Sequence, residues 1–252
     1  MSGHSKWSTI KHGKAVVDAR RSQAFTKLSK EIIIASRTGG NDPDMNFRLR
    51  LAVQKARDNN MPAVNIERAI KNGSGEDGSQ VQMEELTYEG YGPGGTAILL
   101  QVLTDNKNRT VSAVRSAFTK IGGSMAEAGA VSWQFEQKGI VVIIADEDQV
   151  DDLTLAAIDA GADEIESVDD TLHAYIAPEA MEGLRRILAE LGAETQSSEL
   201  AMVPKNTIAL DEKTAMQTLR LLDQLEGLED IQKVFSNADF PDETLEIYAN
   251  AV

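Results

Sequence analysis

Apolar residues between positions 24 and 72 recur every three or four residues, which is the spacing of one face of a helix. Three stripes follow this spacing: Phe25, Leu28, Ile32 and Ala35; Leu49, Ala52, Val53 and Ala56; and Ile66, Ala69 and Ile70. They predict helices over residues 24–37, 45–59 and about 62–72. Gly39-Gly40 is expected to end the first helix, and residues 41–44 (Asn-Asp-Pro-Asp) to form the turn and cap before the second. The first part of the chain is therefore predicted to be a small all-helical domain.

After residue 79 the pattern alternates between strands and helices. It predicts strands over 86–89 and 96–104 and a helix over 110–121. The next residues predict a strand (140–145), a helix (149–160), two strands (163–168 and 172–177), a helix (179–191) and a strand (194–203). This βαββαβ order is that of the ferredoxin-like fold, in which two helices pack on one face of a four-stranded antiparallel sheet.

The last residues predict a helix over 212–225 and strands over 231–236 and 244–249. These three elements are too few to form a domain alone, but they would complete the two strands and the helix that end at residue 121. We therefore expect an α+β protein of three domains. They are a basic helical domain (1–78), a discontinuous α/β domain (79–137 plus 206–252) and an inserted ferredoxin-like domain (138–205). Gly73–Ser79 is predicted to be a flexible polar linker.

Charge divides the chain into a basic and an acidic part. Residues 1–75 contain fourteen Lys and Arg against six Asp and Glu, a net charge of +8. The remaining residues have a net charge of −23, which brings the whole chain to −15. A compact basic segment binds polyanions, whereas an acidic body is repelled by them. We therefore predict that nucleic acid, either DNA or RNA, binds the amino-terminal part, and that the acidic domains offer surfaces to another protein.

The candidate nucleic-acid-binding residues are mainly cations of the basic segment. They are Lys6, Trp7, Lys11, Lys14, Arg20, Arg21, Lys27, Lys30, Arg37, Arg48, Arg50, Lys55, Arg57, Lys107 and Arg109. Such cations also suit a solvated helix face, but their concentration beside an acidic remainder favours contacts with phosphates. Trp7 suits either stacking on a base or anchoring of the amino-terminal arm. Lys107 and Arg109 stand at a helix start, which is typical of either a phosphate site or a plain capped helix.

Composition and motifs argue against an enzyme. The chain has no cysteine, and none of its three histidines stands at metal-ligand spacing from another donor. Neither a nucleophile elbow nor a phosphate-binding loop is found, so we expect no catalytic residue, metal or cofactor. The longest apolar run, 140–145, is far shorter than the roughly 20 residues of a membrane-spanning helix. With no recognisable secretory signal, we expect a cytoplasmic protein without a membrane partner.

Several short segments together resemble the YebC family. They are Gly3-His4-Ser5-Lys6-Trp7, Phe25-Thr26-Lys27-Leu28, Asn59-Asn60-Met61-Pro62, Ile66-Glu67-Arg68-Ala69-Ile70, Tyr88-Glu89-Gly90-Tyr91-Gly92-Pro93-Gly94-Gly95, Leu103-Thr104-Asp105-Asn106-Lys107-Asn108-Arg109-Thr110 and Val131-Ser132-Trp133. These segments span most of the chain in order. One departure is that Ala63 and Val64 stand where the family usually has Lys and Asp, so one basic contact and one carboxylate near a helix start are missing.

The resemblance implies a three-domain, non-enzymatic protein whose bacterial members are regarded as transcriptional regulators that bind DNA. It also implies an alternative, because mitochondrial members are similar to translational activators of cytochrome c oxidase subunit I. Some bacterial members are similar to ribosome-associated factors that relieve stalling at proline-rich stretches. A further alternative, carried by fold analogy alone, is a regulator that responds to a small molecule held between the helices and the sheet of the βαββαβ unit.

Overall fold

The computed structural model describes residues 18–75, 82–146, 148–168 and 170–251, with side chains from residue 22. The helices in this part are α1 (Asp18–Gly39), α2 (Phe47–Asp58), α3 (Ala63–Ser74), α4 (Lys107–Lys120), α5 (Val150–Asp159), α6 (Met181–Glu190), α7 (Glu212–Glu226) and α8 (Asp242–Ala251). The strands are β1 (Glu84–Tyr91), β2 (Ala97–Thr104), β3 (Ser124–Ala126), β4 (Phe135–Ile144), β5 (Glu164–Val168), β6 (Thr171–Ile176), β7 (Glu194–Pro204), β8 (Ile208–Ala209), β9 (Ile231–Ser236) and β10 (Ala238–Asp239). The fold is α+β, as predicted.

The described residues form two compact units. The first unit contains the residues up to Ala130 together with Gln217–Val234, and the second contains Val131–Met216 together with the residues from Phe235 onward. No helix in the described ranges combines the length and the apolar character that crossing a membrane requires.

Three helices open the first unit, as the apolar spacing predicts. Their buried faces contain most of the predicted residues, among which Ile32, Leu49 and Ala56 are completely inaccessible to solvent, while Phe25 and Ile70 are partly buried against the same cluster. Helix α1 is longer than predicted, and it ends where Gly40 takes a φ of +91°, a conformation that favours glycine. The predicted linker also begins later than expected, because Gly73 and Ser74 belong to α3. Residues 76–81 of that linker lie outside the described part.

The turn between α1 and α2 is held by Asn46, and not by a cap within residues 41–44 as the sequence pattern predicts. The buried Asn46 side chain accepts a hydrogen bond from Leu49 N at 3.1 Å and so caps α2. Its amide nitrogen donates to the carbonyl oxygens of Ala35 (2.8 Å) and Gly40 (2.7 Å). One side chain thus fixes the end of α1 against the start of α2.

A four-stranded sheet with the order β3-β1-β2-β9 follows the helices. Strand β9 comes after the βαββαβ segment in the chain, so this sheet is assembled from two separate stretches of sequence. Met83 and Leu103 belong to the same buried apolar cluster as the three helices. The helices and this sheet therefore share a core. The division into three domains remains a prediction.

The second unit contains the predicted βαββαβ segment as β4-α5-β5-β6-α6-β7. Its strands form an antiparallel sheet with the order β5-β6-β4-β7, which is the ferredoxin-like arrangement. Alternate residues of β4 and β6, such as Val141, Ile143, Ala174 and Ile176, form its core with residues of α5 and α6, including Leu184. Burial alternates along β4, as expected for a strand with one face in the core, whereas β6 is buried on both faces.

The prediction of a strand over 244–249 was wrong, because this segment belongs to helix α8. Pro241 accepts the first hydrogen bonds, from the backbone N–H groups of Thr244 and Leu245. Leu245 and Tyr248 are buried, whereas Ile247 is 50% exposed. Burial at a spacing of three is that of a helix, and Asp242 and Glu243 in the first turn favour its positive end.

Candidate nucleic-acid interface

The structure places nine of the fifteen predicted nucleic-acid-binding side chains. Lys6, Trp7, Lys11 and Lys14 lie outside the described residues, and Arg20 and Arg21 lie in α1 with side chains outside the described part. The nine described side chains separate into those that bind another group of the protein through an ion pair or a partly buried hydrogen bond and those that have no carboxylate partner among the described residues.

Lys27 and Lys30 hold α1 against the turn between α7 and β9. Lys30 is buried, and its Nζ lies 2.6 Å from Asp230 Oδ1 and 3.2 Å from the carbonyl oxygen of Glu229. Lys27 Nζ donates to the carbonyl oxygen of Glu226 at 2.7 Å, and the amide of Gln23 donates to the carbonyl oxygen of Gly227. These contacts give Lys30 a structural role within the first unit and remove it from any phosphate-binding surface.

Asp230 is the centre of a buried polar cluster. Besides Lys30, it accepts hydrogen bonds from Thr110 Oγ1 (2.7 Å) and from Arg109 Nη2 (3.2 Å to each carboxylate oxygen). Thr110 Oγ1 also lies 2.8 Å from Thr104 Oγ1. Burial by itself would raise the pKa of Asp230, but the hydrogen bonds from Lys30 and Thr110 outweigh it and hold that pKa below its usual value.

The start of α4 is a capped helix in which both cations are paired. Asn106 caps it by accepting from Arg109 N at 3.1 Å. Lys107 Nζ lies 2.6 Å from Glu84 Oε2, and Arg109 Nη2 lies 2.7 Å from Asp105 Oδ1 in addition to its contact with Asp230. Of the two alternatives left open by the sequence, this geometry fits the capped helix better than a phosphate site.

The two sides of α2 differ in how their cations are neutralised. On one side, Arg48 Nη2 lies 3.0 Å from Glu85 Oε2, and Lys55 Nζ lies 2.8 Å from Glu31 Oε1. On the other side, Arg50 and Arg57 are exposed and form no ion pair with a described residue. Arg50 instead lies with its Cζ atom 5.5 Å from the centre of the Phe47 ring.

Five exposed cations of the three helices have no carboxylate partner in the described part of the chain: Arg37, Arg50, Arg57, Arg68 and Lys71. Arg68 and Lys71 are not among the residues predicted from the sequence. They lie on α3 opposite its buried residues Ile66 and Ala69, so the helical period that predicted the core could also have found them. Among the described residues, no group of three or more His, Cys, Asp and Glu side chains is arranged to hold a metal ion.

Two family models match the chain. The model described as TACO1/YebC protein N-terminal domain matches residues 5–76, and the model described as TACO1/YebC second and third domain matches residues 83–238. The chain belongs to the TACO1/YebC family. This confirms the resemblance found in the sequence.

Relatives of this TACO1/YebC protein are similar over almost their whole length. A protein of Dehalococcoides mccartyi is 54% identical over 249 residues, which is 98% of each chain. A protein of Thermobifida fusca is 49% identical over 245 residues, which is 97% of this chain and 98% of the relative. Both are named "probable transcriptional regulatory protein".

A solved structure is also similar to this TACO1/YebC protein. The crystal structure of a conserved hypothetical protein from Aquifex aeolicus has a TM-score of 0.83 and 43% identity, and the match covers 92% of this chain and 96% of that chain. The positions at which the present sequence departs from the family pattern, Ala63 and Val64, begin helix α3. Val64 is 64% exposed there, so an apolar side chain lies at the surface of the first turn.

Proposed function

We propose that this TACO1/YebC protein is a cytoplasmic, non-enzymatic regulator of gene expression that binds the phosphate backbone of nucleic acid through its first three helices. The observation that carries the proposal is the set of five exposed cations, Arg37, Arg50, Arg57, Arg68 and Lys71, without a carboxylate partner in the described residues. The name of the relatives, "probable transcriptional regulatory protein", supports DNA as the first target. A ribosome-associated factor that binds RNA is the alternative.

Paired and unpaired cations should differ in how strongly they bind a phosphate. A guanidinium that is already held by a carboxylate must give up that ion pair before it can bind another anion. An exposed guanidinium without a carboxylate gives up only water and, in the case of Arg50, two long hydrogen bonds to the carbonyl oxygens of Pro43 (3.5 Å) and Asp44 (3.3 Å). Arg50 and Arg57 are therefore expected to contact phosphates, and Arg48 and Lys55 are not. The net charge of −23 on residues 76–252 would keep the rest of the protein away from the same polyanion.

The two sides of α2 supply a matched pair of variants. The double substitution Arg50→Gln with Arg57→Gln and the double substitution Arg48→Gln with Lys55→Gln remove the same charge from the same helix. Binding of duplex DNA and of a ribosomal RNA helix would be measured by fluorescence anisotropy over a range of salt concentrations. Each lost phosphate contact on duplex DNA reduces the slope of log K against log salt by about 0.9, so we expect the first variant to lose about 1.8. The second should keep nearly the wild-type slope.

Equal effects of the two variants would contradict the assignment of the binding surface to the unpaired side of α2. Binding to neither nucleic acid by the wild-type protein would remove the proposed function itself. Co-sedimentation with ribosomes at low and high salt separates the two targets, since a DNA-binding regulator should stay in the supernatant under both conditions.

A further inference from the structure

Apolar side chains are exposed beside the unpaired cations of α2. Phe47, the first residue of α2, is 58% exposed, Leu51 is 47% exposed, and Met45 in the preceding turn is 85% exposed. None of them belongs to the buried face of α2, which consists of Leu49, Ala52, Val53 and Ala56. Burial within the first unit therefore does not explain why an aromatic residue stands at the start of this helix.

Phe47 begins a row of residues that runs along one side of α2. Phe47, Arg50, Gln54 and Arg57 follow one another at spacings of three, four and three, so they lie above one another on the helix surface. We call these four residues the α2 row. Its members are an aromatic ring, two guanidinium groups without a described carboxylate partner, and one amide, which donates to Asp58 Oδ1 at 2.8 Å.

The ring and the first guanidinium of the α2 row are already placed side by side. Arg50 Cζ lies 5.5 Å from the centre of the Phe47 ring, within the range of a cation–π contact. Arg50 Nη1 also points toward the carbonyl oxygens of Asp44 (3.3 Å) and Pro43 (3.5 Å) in the preceding turn. The ring and the guanidinium group therefore form a positively charged, planar and exposed surface. Because these contacts already hold the Arg50 side chain in place, less of its conformational entropy is lost on binding.

Such a surface fits an unpaired nucleobase better than it fits an apolar groove of a protein. A base stacks on an aromatic face through its own π-system, and the phosphates on either side of it complement Arg50 and Arg57. A protein groove that accepted Phe47 and Leu51 would also have to desolvate both neighbouring cations, which is costly without carboxylates facing them.

We propose that Phe47, flanked by Arg50, is a stacking platform for an unpaired base, so that the target of the helices is single-stranded. This inference rests on the proposed function and specifies its substrate class. Single-stranded RNA and single-stranded DNA share the required chemistry, and both serve as arms of the test.

The test uses the full-length protein and three variants. Phe47→Leu keeps an apolar side chain but removes the ring, Phe47→Trp restores a ring, and Leu51→Ala is the control for loss of exposed apolar surface. Anisotropy would be measured with single-stranded RNA, single-stranded DNA and a duplex of the same sequence. A base–aromatic stack contributes about 1 to 3 kcal/mol, so Phe47→Leu should weaken binding to one or both single strands by about 5- to 150-fold. The salt slope should not change, because no charge is removed.

Phe47→Trp and Leu51→Ala should bind the single strands as the wild type does, and the duplex should bind all three variants alike. Unchanged single-strand binding by Phe47→Leu, together with weaker binding by the Arg50 and Arg57 double variant, would overturn the platform and leave the proposed function standing. An equal loss on duplex and single strands would also overturn the platform. Absence of nucleic-acid binding by the wild type would overturn both. Thermal melting of each variant confirms that the exposed substitutions leave the fold intact.

Discussion

Lys30 and Asp230 form an ion pair in which Nζ lies 2.6 Å from Oδ1 and the two side chains are only 9% and 8% exposed. They are 200 positions apart in the chain. The pair joins the first helix to the turn before β9, and it shows that part of the amino-terminal positive charge serves the fold of the first unit. Counting the cations of a segment therefore overestimates how many of them are available to bind nucleic acid.

Removal of Lys30 should be far more costly than removal of a similar lysine at the surface. Lys30→Met leaves the buried Asp230 carboxylate with Arg109 and Thr110 as its remaining partners. Breaking a buried pair by removing one partner costs about 3 to 5 kcal/mol, and we expect the lower end because of those partners. Lys55→Met breaks the half-exposed pair with Glu31 and should cost less than about 1 kcal/mol. Denaturant unfolding of both variants measures the difference, and similar costs would show that the Lys30 pair contributes little.

Asp230 should make the first unit less stable in acid. Because its pKa is lower in the folded than in the unfolded protein, the stability it contributes is complete above its unfolded pKa of about 3.9 and is lost as pH falls further through the folded pKa. The difference in free energy of unfolding between the wild type and Asp230→Asn should be constant from pH 7 to about pH 5 and should shrink below about pH 4. Unfolding curves at several pH values check this, and a difference that stays constant down to pH 3 would be contrary to it.

Gly73 should not tolerate a side chain, because α1 and α3 approach each other there. A Cβ atom at this position would lie 2.5 Å from the carbonyl oxygen of Ile33 and 2.8 Å from Ser36 Cβ. Gly73→Ala should therefore destabilise the protein by about 1 to 3 kcal/mol. Gly183 in α6 is the matched control, since a Cβ atom there meets nothing within 4 Å, and Gly183→Ala should stabilise by about 0.5 to 1 kcal/mol. Thermal melting gives the sign of each change, and a stabilising Gly73→Ala would argue against the close approach.

Helix α8 can be distinguished from the predicted strand by two neighbouring apolar residues. In a strand Leu245 and Ile247 would share one face, but in α8 Leu245 is fully buried and Ile247 is 50% exposed. Leu245→Ala should cost about 2 to 5 kcal/mol, whereas Ile247→Ala should change stability by only about 0.5 kcal/mol. Chemical denaturation measures both, and equal large costs would favour the strand.

The helices α1 to α3 follow from local periodicity, because burial on one face repeats every 3.6 residues in a helix. Leu49, Ala52, Val53 and Ala56 all lie where that rule predicts. In the βαββαβ segment, burial alternates along β4, and β6 is a short apolar run that is buried on both faces. The prediction of a strand over 244–249 was wrong because a stretch of only six residues can fit both the period of a helix and the period of a strand. The cap at Asn46 was missed because its three hydrogen bonds reach back to α1 as well as forward into α2.

The sequence by itself determined the family, the α+β class, most of the elements and the division of charge, since each of these depends on residue identity and on short-range spacing. Only the tertiary structure decided which described cations remain without a carboxylate partner. The sequence does not distinguish the cations that form ion pairs from Arg50 and Arg57, which form none with a described residue. The fold brings a carboxylate to each of the paired ones, Lys30, Arg48, Lys55 and Arg109. Ion pairing acts over a few ångströms in space, and sequence distance does not limit it, because a residue 200 positions away can be the nearest charge.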